Sequence, residues 1–267
     1  MIFLGDTHGN FNYVKWYIKQ RKIENVDIIH VGDYGVGFIN EFKERNNLGM
    51  FNKWLRNRGI TMHVFRGNHD NPNYFNGDYA EGPKAFTNLK FYPDYTVLEI
   101  EGKKILGVGG ALSIDRLPRR QRTLQEARYG RDNQYHWEDE RFVLDEEKTR
   151  AFRDIDIVVT HTAPEFVYPV NNGKTWPYIV QQFIDNGDDK LAQDLMDERA
   201  TATEFYRLLR KENDIKWWFY GHFHTDKMEV IGNTTFKLLN INEMYELKED
   251  YYKDLEDELN EKYGEDE

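Results

Sequence analysis

Five times along this 267-residue chain a short apolar run breaks off and delivers aspartate, asparagine or histidine, in most cases through a glycine. Ile2-Phe3-Leu4 runs into Gly5-Asp6-Thr7-His8-Gly9, and the run from Val26 to Val31 into Gly32-Asp33. The run from Ile60 to Phe65 leads to Arg66-Gly67-Asn68-His69-Asp70. Ile157-Val158-Val159-Thr160 lands on His161, and Trp217-Trp218-Phe219-Tyr220 on Gly221-His222-Phe223-His224. Runs this short, bounded by turn residues, read as buried strands rather than helices. Between the early ones, apolar residues recur at helical spacing, as in Phe11, Val14 and Ile18. Helices are therefore expected over about 10–22 and 41–58. Strand, polar loop and helix in alternation predict βαβ units with a largely parallel sheet. In such sheets the sites lie beyond the carboxyl ends of the strands, where all these polar clusters fall.

The middle of the chain changes character. Segments 89–92, 96–101 and 104–108 read as shorter strands, the last two joined by a turn at Glu101-Gly102, which suggests antiparallel pairing there. A polar stretch over 113–140 shows no clear periodicity. Two helical regions are expected within 178–211, then a hairpin of 228–231 and 234–239 around Gly232-Asn233. No internal repeat and no Pro/Gly/Ser-rich linker divides the chain, so residues 1–244 are expected to form one domain. Residues 245–267 form a separate acidic tail. There Leu247, Tyr251, Leu255, Leu259 and Tyr263 recur every fourth residue, the pattern of an amphipathic helix that packs on the body or takes a partner.

Composition narrows the function classes. The formal charge is -11, but from Glu246 onward eleven acids face three lysines, so the body is nearly balanced and nucleic acid is not excluded as a substrate. Cysteine is absent, which removes disulfides, thiolate metal sites and cysteine nucleophiles and fits a reducing, cytoplasmic location. A mean hydropathy of -0.81 without a long apolar run predicts no membrane span. Asp6 and His8 stand where a signal peptide would need its apolar segment.

Collected, the residues at the strand ends that could bind metal are Asp6, His8, Asp33, Asn68, His161, His222 and His224. Seven oxygen and nitrogen donors exceed the about four that one tetrahedral ion takes, so they suit two ions sharing a bridge. Asp33 is the natural bridge, because a carboxylate has two oxygens and its charge is favourable between two cations. Four neutral imidazoles and an amide oxygen then leave the site positive, ready for an anionic substrate.

These blocks resemble the calcineurin-like metallophosphoesterases, whose five motifs are matched in order by Gly5-Asp6-Thr7-His8-Gly9, Gly32-Asp33, Gly67-Asn68-His69-Asp70, Thr160-His161 and Gly221-His222-Phe223-His224. The resemblance implies an α/β (α+β) fold, a four-layer αββα sandwich of the metallo-dependent phosphatase type. It assigns Asp6, His8, Asp33 and His224 to one divalent ion and Asp33, Asn68, His161 and His222 to the other. Manganese or iron is the expected metal; oxygen and nitrogen donors also admit zinc, nickel or cobalt. The implied activity is hydrolysis of phosphoric esters, as phosphatase or phosphodiesterase, by a hydroxide bridging the two ions that attacks phosphorus in line. His69 would protonate the leaving group, and Asp70 would accept a hydrogen bond from its ring and raise its pKa. Asn68 would also touch substrate: a phosphorylated small molecule, a nucleotide or a nucleic acid end.

Departures from the family pattern qualify this. The Ser/Thr phosphatases and diadenosine-tetraphosphatase relatives carry an arginine shortly after the second aspartate, whereas Asp33-Tyr34-Gly35-Val36-Gly37-Phe38 has none. A replacement phosphate clamp is expected in the arginine-rich stretch after Gly109-Gly110-Ala111-Leu112-Ser113-Ile114-Asp115-Arg116, a segment similar to one in bacterial and phage members of the family. Arg116 and Arg119 are the candidates, since arginine forks match phosphate oxygens. Arg66 reads equally as a structural ion pair. The alternative function is a non-catalytic scaffold of the same fold that binds a protein, with the C-terminal helix mediating self- or partner association.

Overall fold

The computed structural model of the chain describes residues 1–169 and 178–247. The first half runs β1 (Ile2–Leu4), α1 (Phe11–Arg21), β2 (Asp27–His30), α2 (Glu41–Arg56), β3 (Thr61–Val64), α3 (Gly77–Ala80) and β4 (Leu89–Phe91). The second runs β5 (Thr96–Ile100), β6 (Lys103–Val108), α4 (Arg116–Arg128), α5 (Glu146–Ala151), β7 (Ile157–Thr160), α6 (Tyr178–Asp185) and α7 (Leu191–Leu209). It ends with β8 (Trp217–Tyr220), β9 (Lys227–Ile231), β10 (Thr234–Leu238) and β11 (Met244–Glu246). Among the described residues these strands form two mixed sheets, one in the order β11-β1-β2-β3-β4 and the other β5-β6-β7-β8-β10-β9.

The strands are apolar on both faces because both faces are covered. Ile2 and Leu4, Ile28, Met62 and Val64 turn outward onto Val14 and Ile18 of α1 and Leu48, Phe51 and Leu55 of α2. Phe3, Ile29, Val31 and Phe65 turn inward and meet Ile105, Ile157, Val159, Trp217 and Phe219 of the second sheet. Phe3 and Phe219 stack across that seam with centroids 3.6 Å apart. On its other face the second sheet sets Leu106, Val158, Trp218 and Phe236 against Ala202, Phe205 and Leu209 of α7. Three apolar seams thus separate four layers, helix on sheet on sheet on helix, as the family resemblance implied.

Local chemistry sets the helices that flank the site. The Asn10 side chain accepts from Tyr13 N–H to start α1, Lys22 closes it in a left-handed conformation, and basic Lys19 and Arg21 fill its last turn. Asn40 caps α2 in the same way, with Glu41 and Glu44 in the first turn and Lys53 and Arg56 in the last.

The structure departs from the sequence reading in two places. The stretch 113–140, without clear periodicity in the sequence, contains α4, with Arg116 and Arg119 as its buried residues. Its inward period is written in charged side chains, so an apolar pattern could not reveal it. The body also does not end at 244. β11 pairs antiparallel with β1, Ile2 opposite Glu246, and Leu247 is buried. A three-residue edge strand carries no periodic signal of its own. The rest of the expected amphipathic helix, 248–267, lies outside the described residues.

Candidate metal centre

Parallel pairing of β1 with β2 and of β2 with β3, and of β7 with β8, brings the ends of these strands to one edge of both sheets. The loops that follow are bent sharply. His8, Asp33, His222 and His224 all have positive φ, between 45° and 71°, a strained conformation for residues with side chains. Such strain persists only where surrounding structure enforces it, and four of the ten non-glycine residues with positive φ among the described residues fall in these loops. Glycine makes the close approach possible: a Cβ on Gly67 would stand 2.1 Å from Asp33 Oδ1, and one on Gly221 2.2 Å from Asp6 Oδ1.

The seven candidate ligands converge. Asp6, His8, Asp33 and His224 form one group and Asp33, His161 and His222 a second, with the donor atoms of each within 4.8 Å of one another. His8 Nε2 lies 3.0 Å from His224 Nε2 and 3.8 Å from Asp33 Oδ2, and His224 Nε2 lies 3.4 Å from Asp6 Oδ2. In the second group His161 Nε2 is 3.1 Å from Asp33 Oδ1, and Asn68 Oδ1 lies 3.1 Å from His161 Nε2 and 2.9 Å from His222 Nδ1. Asp33 belongs to both. Its Oδ1 takes the His69 backbone N–H at 2.7 Å, whereas Oδ2, buried, has no hydrogen-bond partner. A buried carboxylate oxygen without a donor is costly unless a cation stands beside it. The donor set therefore fits a pair of divalent ions bridged by Asp33.

Electrostatics agree. Burial would push Asp33 up, yet His161, His69 and His8 outweigh it and hold its carboxyl well below the usual range, so it stays ionised. Burial and the neighbouring His161 hold His222 well below the usual imidazole value, which keeps its ring nitrogen free to bind. Burial lowers His161, but Asp33 and Asp6 lift it to about 9. Its Nδ1 faces the Val31 carbonyl at 2.9 Å, leaving Nε2 for the centre.

A shell that sequence reasoning missed holds these ligands. Asn68 Nδ2 donates to Ser113 Oγ at 2.8 Å, which orients Oδ1 toward the two histidines. Ser113 Oγ and N–H both donate to the buried Glu140 at 2.8 Å. On the other side His30, buried and pushed down to about 3 mainly by burial, contacts Thr7 Oγ1 at 3.1 Å, and Thr7 donates onward to the Tyr34 carbonyl. Only the placement of Ser113 in a loop after a strand hinted at any of this.

Three expected residues have other roles. Asp70 does not meet the His69 ring. Fully buried, it accepts the N–H groups of Gly35 (2.7 Å), Gly67 (2.8 Å), Tyr34 (3.1 Å) and Val36 (3.3 Å), tying the second and third loops together. Burial and then Asp33 raise its carboxyl to about 6. Arg116 is no phosphate clamp: its fork holds Asp188 at 2.6 Å through two nitrogens and also binds Asp194. Arg119 likewise turns away from solvent, onto Ser113 Oγ, the Tyr135 carbonyl and, at 3.3 Å, the Asn68 carbonyl, where it braces the ligand loop. Arg66 forms the structural pair, with Asp94, and bonds three carbonyls of 139–141. His69 does border the cleft beside Asp33, Asn68, His222 and His224. Its ring stands edge-on to His8 at 5.0 Å, and burial pushes it down to about 3 against the opposing pull of Asp33.

Among the described residues, no helix is long and apolar enough to cross a membrane. No curated protein matches the chain. One solved structure, titled "GAP50 the anchor in the inner membrane complex of Plasmodium", is similar at 12% identity over 90% of this chain and 71% of that one, with a TM-score of 0.38, too low to carry an argument. The sequence model of the calcineurin-like phosphoesterases matches residues 1–226, a span that contains all five blocks and every residue of the two metal-binding groups. The chain is a member of the calcineurin-like phosphoesterase family.

Proposed function

We propose that this chain hydrolyses phosphoric esters at two divalent ions, one held by Asp6, His8, Asp33 and His224 and the other by Asp33, Asn68, His161 and His222. The observation that carries the reading is Asp33, common to both groups, with one buried oxygen lacking any donor. Such an ion pair, when bound, acidifies water and polarises the phosphoryl oxygens. The protein's own part is positioning. Ser113 fixes which face of the Asn68 amide is presented, Val31 fixes the His161 tautomer, and Asp70 clamps the two loops that carry Asp33 and Asn68. His69 borders the cleft where a leaving oxygen would emerge. Its ring N–H would hydrogen-bond to that oxygen as charge develops there; full proton transfer needs the imidazolium, which burial disfavours. A proton competes with the metal for His161 Nε2, so metal affinity rises with pH up to about 9.

The test measures metal content and turnover together. Protein loaded with manganese should carry two ions per chain and cleave bis(p-nitrophenyl) phosphate, and chelation should abolish cleavage. Asp33→Asn should lower affinity for both ions by more than the ~10–100-fold typical of an outer partner. Full metal content with no turnover of any phosphoric ester would leave a metal-binding protein without this activity.

A further inference from the structure

Two clefts meet at the candidate metal centre, and their linings differ. One, of about 550 Å³, is bordered by Asn68, His69, His222 and His224 and walled by Ile114, Tyr168, Phe183 and Phe223. Among its described lining residues there is no lysine or arginine. Its aromatic wall is held in place: Tyr168 lies edge-on to Phe223 at 4.6 Å and has the Arg199 guanidinium against its other side at 3.5 Å. The second cleft, of about 560 Å³, opens from His8 and is lined by Asn10, Asn12, Lys15 and Asn47 together with Phe38, Met50 and Phe51. The His8 ring lies 5.0 Å from both His69 and His224, so the clefts join across the ligands rather than at separate places.

The arginines near the centre serve other partners. Arg66, Arg116 and Arg119 all bond carboxylates, carbonyls or the Ser113 hydroxyl. Among the described residues no arginine fork therefore faces the position of phosphorus to offset a second phosphate charge, and the one cation lining either cleft is Lys15, beyond His8. A monoester has one organic arm and would leave one cleft unfilled. A diester has two arms and a single charge.

Resting on the phosphoesterase reading above, we propose that the substrate is a phosphodiester. Its aromatic or apolar arm lies in the Ile114–Tyr168–Phe183–Phe223 cleft, and its other arm lies in the asparagine-lined cleft beyond His8. Hydrolysis adds one water: a new P–O bond forms to the water oxygen, the P–O bond to one arm breaks, and a proton goes to the departing alcohol or phenol. The products are a phosphomonoester and that alcohol.

The experiment compares kcat/KM of the manganese-loaded protein for bis(p-nitrophenyl) phosphate, methyl p-nitrophenyl phosphate and p-nitrophenyl phosphate, which share a leaving group. The bis-aryl diester should exceed the monoester by at least about tenfold, the scale of a filled apolar subsite. Asn47→Trp, on the exposed face of α2, narrows the second cleft, and Ile114→Ser removes part of the apolar wall. Asn47→Trp should lower the ratio of the bis-aryl to the methyl ester by about fivefold or more, whereas Ile114→Ser, in the cleft of the leaving arm that both esters carry, should lower kcat/KM for the two alike by about fivefold or more. Equal or better turnover of the monoester, a ratio unchanged in Asn47→Trp, or kcat/KM for both diesters unchanged in Ile114→Ser, overturns the two-cleft proposal and leaves the phosphoesterase reading standing. No turnover of any of the three esters overturns both.

Discussion

Asp33 shows how much one side chain can be asked to do. Its carbonyl takes the N–H groups of Thr7 and His8 at 3.0 and 2.9 Å, one carboxylate oxygen holds the third loop through His69 N–H, and the other is left bare. His69 is the residue whose role is most open to measurement. If its N–H assists the leaving group, His69→Ala should slow alkyl phosphoesters by about 10²–10⁴-fold, while nitrophenyl esters, which leave without help, lose far less. Equal losses on both classes, read from kcat/KM, would remove it from proton transfer. The Asp70–His69 contact expected from their adjacency does not form, because four backbone N–H groups already fill the Asp70 carboxylate.

At the scale of elements, α4 and the loop before it decide how firmly Asn68 is held. Ser113, Glu140 and Arg119 make one buried network behind that amide. Ser113→Ala leaves the Asn68 Nδ2 without its acceptor and should weaken metal binding by ~10–100-fold, with the fold intact. Metal titration checks the affinity and thermal unfolding checks the fold. Arg116 pins the start of α4 to Asp188 and Asp194 at the head of α7. Arg116→Ala strands Asp188, itself buried, and should cost about 3–5 kcal/mol of stability. KM for the intact fraction should stay as in the parent. A raised KM at unchanged stability would restore the phosphate-clamp role.

Across the whole molecule, Glu198 ties α7 to the sheet edge that carries the site. Fully buried, it accepts from Thr162 Oγ1 at 2.8 Å, and burial raises its carboxyl to about 7. Its folded value lies above the usual 4.5, so the native state holds a proton that the unfolded chain releases. The associated stability is complete below about pH 4.5 and is lost as pH rises through about 7, an effect of roughly 3 kcal/mol. Glu198→Gln keeps the neutral form at every pH. The gap in melting temperature between variant and parent should therefore widen from about pH 5 to pH 8. A constant gap would show that Glu198 is ionised in the fold throughout.

How far the sequence reaches depends on the range of the interaction. Strands buried on both faces are largely apolar, and turns that bring backbone against a carboxylate need glycine, so the five central strands and the five site loops are legible locally. Parallel strands put their carboxyl ends on one edge, so Asp6, His8, Asp33 and Asn68 share the edge of one sheet and His161, His222 and His224 that of the other; the packing of the two sheets brings the groups together. The sequence by itself thus determined the order of strands and helices, the loops that carry the site and the donors, while the two-sheet sandwich was implied by the family resemblance. The tertiary structure alone decided the partners of the charged residues. Arg116 meets carboxylates 72 and 78 residues away, Asp70 meets amides of a loop 34–36 residues back, and β11 exists only because β1 offers it an edge. Arginine and carboxylate take whichever donor or acceptor the fold brings within about 3 Å, and no local pattern encodes that choice.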